Sequence, residues 1–468
     1  MTSSASRSRT RRAIRPSHLP ADGWMRRDLG SFAQFSSCQI VSLSPCRITL
    51  PGPPMVPDSM GQRPRLRRRR GHTFTVGCLY PLTGRAARYG HDSIIAAEMA
   101  ADEVNATGGV LGREVRLLFV DDRSDPTFAV KAAQRYVLED DVDALMGVVS
   151  SAVALAVTEV SRHFGVLFVG TDHASARLTE EQFQPYYFRV TNNTRQSMTA
   201  GARYLSRRPW RRLAYIGPDY EYGHRQWQDF REALARLVPD ARVVGTAWPK
   251  LYAPDYRPAL RSLLDADPEV LVHGFWGGDT IAFVAQALEL GVFERVQVVS
   301  FDAGGNYEVF EALGERMPCG LILSARHHNN FPPTAANRRF VQGFWDRARR
   351  YPAYPAHGAY VGVHFLAAAA ARAGSVDAEE LVRAGEGLVL ATPRDREGRP
   401  SWIDPASHQV VQEMYIGVTE PQAGYPPARV MLGQWEVVPA EVAAPGSRSE
   451  RVRGGPPGPH ARDVAGGG

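Results

Sequence analysis

At 468 residues, 44% hydrophobic and 22% charged, the chain is long enough for two or three soluble domains with a substantial core. Its net charge of +6 is uneven: residues 1–71 hold fourteen arginines and three aspartates, residues 440–468 sit near neutrality, and 72–439 carries about −6. A mildly acidic body argues against nucleic-acid binding by the folded part, and no apolar run reaches the ~18 residues of a transmembrane helix.

Residues 1–71 are rich in Arg, Ser and Pro and end in four arginines at 67–70; they read as a disordered basic extension. Arg26 and Arg27 faintly resemble a twin-arginine export signal, but 30–51 is too polar for the apolar core such a signal needs. Cys38, Cys46, Cys78 and Cys319 form no CxxC pair, so neither a disulfide framework nor a zinc site is expected.

From Thr73 strands and helices alternate. Strands are expected at 73–79, 115–120, 144–149, 166–169 and 186–190, with helices at 88–105, after Asp125-Pro126, and directly after Ser150-Ser151. The stretch 191–194 is polar and suits a hinge. A second series has strands at 213–216, 241–246, 270–273 and 296–301 and helices near 222–237, 255–265 and 279–290. One more strand at 320–324, helices near 334–350, 357–373 and 377–385, a hairpin-like end at 393–415, and a disordered tail from 437 complete the expectation. Such alternation predicts an α/β fold of parallel βαβ units, and two series joined by a polar link predict two lobes with a cleft.

Two stretches stand out as a candidate site. Strand 144–149 runs into Ser150 and Ser151, and the next strand delivers Gly170 through Ser175. Ligands of open α/β sheets bind at such carboxyl ends, and a serine at the start of a helix offers free N–H groups to an anion. Strand 296–301 ends in Asp302 before Ala303 and two glycines, where an acid could face a cation. Together they suggest a zwitterionic small molecule. The plainer alternatives are that the serines only cap a helix and Asp302 only sits in a turn.

The motifs VGCLYPLTG (76–84), NATGGVLG (105–112), DDRSDP (121–126), GVVSS (147–151), DYEYG (219–223), ALELG (287–291) and DAGGN (302–306) occur in order. With them, residues 72 to about 436 resemble the type I periplasmic solute-binding proteins of branched-chain amino acid (Leu/Ile/Val) ABC transporters. The resemblance implies a two-lobed fold, each lobe a mainly parallel sheet flanked by helices. Residues 72–194 with 325–410 would form one lobe, and 195–324 with 411–436 the other. It implies that Ser151 or Ser150 holds an α-carboxylate and that His173, Ala174 and Ser175 form the gripping loop. Asp302 would then meet the α-ammonium, and Tyr89, Tyr222 and Trp276 would line the pocket.

The chain departs from that pattern in places. Asp172 and His173 bring a charge and an imidazole into a loop that is usually small, and Ser124 and Ser150 stand where some members have paired cysteines. The segments TPRDREG (392–398) and IDPASH (403–408) look more like the urea- and amide-binding branch. The expected function is capture of a branched-chain amino acid, amide or similar small polar molecule for a membrane permease, in an extracytoplasmic compartment. The alternative is a cytoplasmic amide or amino-acid sensor of the same fold that regulates a partner protein. No P-loop, GxSxG elbow, HExxH or zinc-spaced cysteines are present, so no enzyme, cofactor or metal is expected; adjacent His327 and His328 would point to opposite faces of a strand.

Overall fold

The alternation that begins at Thr73 becomes two parallel-cored sheets in the computed structural model, which describes residues 72–444. The basic extension, the arginine pair, Cys38, Cys46 and the last part of the expected tail lie outside the described residues.

The first series is β1 (Thr73–Tyr80), α1 (Ala87–Ala106), β2 (Glu114–Asp121), α2 (Pro126–Leu138), β3 (Ala144–Gly147), α3 (Ser151–Phe164), β4 (Leu167–Gly170) and β5 (Tyr187–Arg189). Its strands pair in parallel in the order β2-β1-β3-β4-β5. Strand side chains alternate between faces, so Phe74, Val76 and Cys78 enter one core while Leu79, Leu145 and Phe168 enter the other. Each large apolar side chain fully buried there contributes about 1.5–3 kcal/mol.

The second series is α4 (Thr194–Leu205), β6 (Arg212–Ile216), α5 (Glu221–Leu237), β7 (Arg242–Ala247), α6 (Arg257–Asp265), β8 (Val270–His273), α7 (Gly277–Glu289), β9 (Gln297–Ser300), α8 (Tyr307–Leu313) and β10 (Ile322–Leu323). After it come α9 (Ala335–Ala348), α10 (Pro355–Ala373), α11 (Ala378–Gly385), β11 (Val389–Leu390), β12 (Ser401–Ile403), β13 (Val410–Val411), β14 (Met414–Pro421), β15 (Val430–Val438) and α12 (Ala440–Ala443). The second sheet has the order β15-β14-β10-β9-β8-β6-β7, with β14 and β15 antiparallel at one edge. Helix α10 lies along α1, and its Phe365, Leu366 and Ala369 complete the first sheet's core.

At the polar stretch 191–194, Asn193 and Gln196 form a capping box that starts α4 at Thr194. Two local expectations are corrected. The segment 393–415 is not one hairpin; β11, β12 and β13 make a small antiparallel sheet, and β14 pairs with β15 instead. Residues 437–444 are not an open tail, because Val438 and Ala443 bury against Met198 and Leu205 of α4. No helix among the described residues is long and apolar enough to cross a membrane.

Candidate functional site: a cavity at the strand ends

Strands β3 and β4 end in register, Gly147 beside Gly170. Between β3 and α3 the chain turns at Val148, whose φ of 53° is a left-handed conformation that a β-branched residue rarely adopts. Such strain persists only where the surroundings enforce it and marks functional sites. Ser150 is the extended N-cap of α3 and makes no side-chain cap bond. The first-turn N–H groups of α3 therefore lack intrahelical partners and, with the helix dipole, suit an anion. Ser151 is 2% exposed and lines a cavity at this point, and its Oγ accepts from the Ser175 amide at 3.2 Å, which leaves its hydroxyl proton free to donate.

The loop after β4 is held from behind. His173 lies 3.1 Å by Nδ1 from the Val148 carbonyl, which only a protonated Nδ1 can satisfy, so Nε2 accepts from the Tyr187 hydroxyl at 2.7 Å. Tyr187 in turn accepts from Arg189 Nε at 2.9 Å, and Arg189 Nη1 and Nη2 donate to the Ala174 and Ser175 carbonyls. Burial, with Arg189 nearby, holds the His173 pKa well below its ordinary value. His173 is thus a neutral positioning residue. The Ser175 hydroxyl donates to Glu221 across to α5 at 2.7 Å.

Arg326, just after β10, dominates the electrostatics. Its Nη2 donates to Asp302 Oδ2 at 2.6 Å and its Nη1 to both Asp172 Oδ1 and the Asp172 carbonyl at 2.5 Å. It lies over the Tyr354 ring at 5.0 Å. Asp302 also accepts from Asn192 (3.0 Å), Ser197 (2.7 Å) and Tyr222 (2.7 Å). Burial opposes ionisation of Asp302, but Arg326, Tyr222 and Ser197 outweigh it and lower its pKa. For Asp172 burial wins over Arg326, with Asp302 adding repulsion, and the pKa rises to about 7.

Aromatic rings close the other side. Trp276 packs on Tyr89 at 5.5 Å and donates by Nε1 to the Tyr220 hydroxyl at 2.9 Å. Tyr354 meets the Tyr89 edge at 5.3 Å, and Asn306 Nδ2 donates to the Tyr89 hydroxyl at 3.0 Å. The cavity left between these walls is about 10 Å³, room for one water at most.

Of the residues expected from the sequence, Ser151, His173, Ala174, Tyr222 and Trp276 line this cavity. Tyr89 backs Trp276, and Ser175 braces the loop. Ser150 occupies the N-cap position of α3 with no side-chain cap bond and does not line the cavity. Asp302 is a correction: it sits behind Arg326 and Tyr222 with both oxygens occupied, so it does not present a free acid to an ammonium. Sequence reasoning noted Asp172 only as an extra charge in the loop and missed Tyr220, Arg326 and Tyr354 as lining residues. His327 stacks on His357 at 5.0 Å, and no group of three or more His, Cys, Asp or Glu among the described residues is arranged to hold a metal.

The sequence profile of the periplasmic binding protein family matches residues 73–424. Among curated relatives, the Leu/Ile/Val-binding protein BraC3 of Rhizobium johnstonii is 31% identical over 161 residues, covering 34% of this chain and only 44% of that protein. The leucine-, isoleucine-, valine-, threonine-, and alanine-binding protein of Pseudomonas aeruginosa is 23% identical over 328 residues, 70% of this chain and 85% of that one. Among solved structures, an ABC-transporter solute binding protein of Rhodopseudomonas palustris in complex with 3,4-dihydroxy benzoic acid has a TM-score of 0.69 at 23% identity, covering 78% and 98% of the two chains. An amino acid ABC transporter substrate-binding protein from Pseudomonas fluorescens has a TM-score of 0.70 at 22% identity, covering 80% and 98%. At these identities the structural likeness concerns the fold alone.

Proposed function

The chain belongs to the periplasmic binding protein family, and from that premise we propose that it captures a small organic carboxylate with an aromatic or similarly apolar body and presents it to an ABC-transporter permease outside the cytoplasm. The single observation that carries the ligand class is the saturation of Asp302. Its oxygens accept from Asn192, Ser197, Tyr222 and Arg326, which leaves no room for a ligand ammonium. What faces the cavity is the start of α3 with Ser151, the Arg326 guanidinium, and the rings of Tyr220, Tyr222, Trp276 and Tyr354. A guanidinium and a helix N-terminus suit a carboxylate, and aromatic faces suit an apolar ring. The Rhodopseudomonas palustris protein with its dihydroxybenzoate is in keeping with this class.

Binding pockets for such ligands measure several hundred Å³, against about 10 Å³ here. Entry therefore needs the two sheets, each with its helices, to swing apart as lobes about the crossings at 190–193, 324–334 and 412–413, as in hinge closure. A second reading, an amino acid, is favoured by Asp172, an acid that does line the cavity.

A thermal-shift series on the full chain separates the two, with 4-hydroxybenzoate, 3,4-dihydroxybenzoate, leucine, valine, acetamide and urea. A ligand at a hundredfold excess over its Kd raises stability by about 2.7 kcal/mol. The benzoates are expected to shift the transition; a shift with leucine or valine alone overturns the carboxylate reading in favour of the second.

A further inference from the structure

We propose that Asp172 is the residue that sets the charge of the accepted ligand: it shares Arg326 with Asp302, yields it to a ligand carboxylate, and takes up one proton as it does so. This rests on the carboxylate reading above.

The argument begins with a count of charges. One guanidinium faces two carboxyl groups, at 2.5 Å for Asp172 and 2.6 Å for Asp302, and all three groups are nearly or fully buried. With both acids ionised the trio is net negative. A ligand carboxylate seated on Ser151 and Arg326 would add a second negative charge in a site shut off from water, where like charges at contact distance cannot all persist. One carboxyl must become neutral. It cannot be Asp302, whose oxygens accept from four donor groups that all favour the anion.

Asp172 differs in what surrounds it. From the end of β10 it meets Arg326, and from the loop after β9 it feels Asp302. The Tyr354 hydroxyl at the start of α10 faces it, and Tyr80 on β1 and Tyr89 on α1 lie within electrostatic range. The neighbouring His173 is held neutral by burial, which keeps its pKa well below the ordinary value. None of these neighbours but Arg326 brings a positive charge, so once a ligand carboxylate competes for Arg326 only the Tyr354 hydroxyl is left to stabilise the Asp172 anion. The proton comes from solvent as the lobes close: Asp172 carboxylate plus one proton gives the acid, and no other bond changes. Its pKa, raised by burial to about 7, puts the exchange within the working range of the protein.

The sign follows. Below pH 7 Asp172 is already protonated, and the Kd for a carboxylate is flat. Above pH 7 a proton must be taken up, and the Kd weakens about tenfold per pH unit. A zwitterion whose ammonium meets ionised Asp172 shows the reverse, weakening below pH 7.

The test is isothermal titration calorimetry of the full chain with 4-hydroxybenzoate at pH 6, 7 and 8, in buffers of different ionisation enthalpy. The expected result is uptake approaching one proton per ligand at pH 8 and near none at pH 6. In Asp172→Asn the uptake disappears and affinity no longer changes with pH. The wild-type measurement stands by itself if the variant folds poorly. Binding of 4-hydroxybenzoate with no proton uptake at pH 8, or an unchanged pH slope in the variant, overturns the role of Asp172 and leaves the carboxylate reading standing. Leucine binding with affinity that falls below pH 7, or binding of neither compound, overturns both.

Discussion

Arg326 Nη2 stands 2.6 Å from Asp302 Oδ2, and this pair joins the end of β10 to the end of β9 beneath the cavity. The same guanidinium reaches Asp172 on the first sheet at 2.5 Å, so one side chain ties both walls together. A strand-end acid that would otherwise await an ammonium is thereby turned inward, and the paired Arg326 and Asp172 line the cavity in its place.

Removing Asp302 should cost more than a lost contact. Asp302→Ala leaves Arg326 neutralised by Asp172 but strips its Nη2 and the buried Tyr222 and Asn192 donors of their acceptor, and a buried donor left unsatisfied typically costs about 1–3 kcal/mol. Urea unfolding at pH 8 is expected to show a loss of that order. A change below about 1 kcal/mol would mean that Arg326 finds water or another partner.

Trp276 is expected to carry much of the affinity for an apolar ring, since it lines the cavity and is braced by Tyr89 and by Tyr220 through its Nε1. Trp276→Ala should weaken 4-hydroxybenzoate by about tenfold or more. Calorimetric titration reads this directly, and an unchanged Kd would place the ring elsewhere in the cleft.

Acid sensitivity should come from buried neutral histidines. His273 is 1% exposed, neither ring nitrogen has a partner, and burial lowers its pKa to about 3. The unfolded chain binds a proton there below about pH 6.5 and the folded one does not until about pH 3, so stability is lost as pH falls between those values, by about 1.4 kcal/mol per unit. His273→Leu is expected to flatten the wild-type slope by that amount between pH 6 and 4, the buried carboxyls being common to both proteins. Equal slopes in denaturant titrations at pH 4, 5 and 6 would refute this origin.

The start of α4 offers a milder test. Asn193 accepts from the Gln196 amide at 2.9 Å, and Gln196 Oε1 accepts in return from the Asn193 amide at 3.0 Å. Asn193→Ala should destabilise the fold by about 1 kcal/mol. A neutral result in urea unfolding would show that burial of α4 against α5 alone holds the helix.

What could be read from the chain follows from the range of the signals. Strands β3, β4 and β8 are short, fully buried apolar runs, so 270–273 is strand β8 as expected, and 213–216, buried throughout, lies within β6. Ser151 was legible because a strand end, a serine and a helix start are adjacent in sequence. Arg326 was not legible: it lies 24 residues from Asp302 and 154 from Asp172, and no local pattern announces a partner brought in by topology. Asp172 sat inside the quoted loop, yet nothing in a loop sequence says which side chain turns toward a cavity. Helix α4 did carry a signal, Asn193 with Gln196 three residues on, but the polar composition of 191–194 reads first as a turn. The order of residues 437–444 depends on distant contacts with α4 that the tail's own composition does not reveal.

The most direct measurement is a pair of calorimetric titrations of the full chain at pH 7, one with 4-hydroxybenzoate and one with leucine. Saturation of Asp302 and exposure of Arg326 to the cavity predict that 4-hydroxybenzoate binds and that leucine binds at least tenfold more weakly. Tighter binding of leucine would contradict that account and return the site to a receptor for zwitterions.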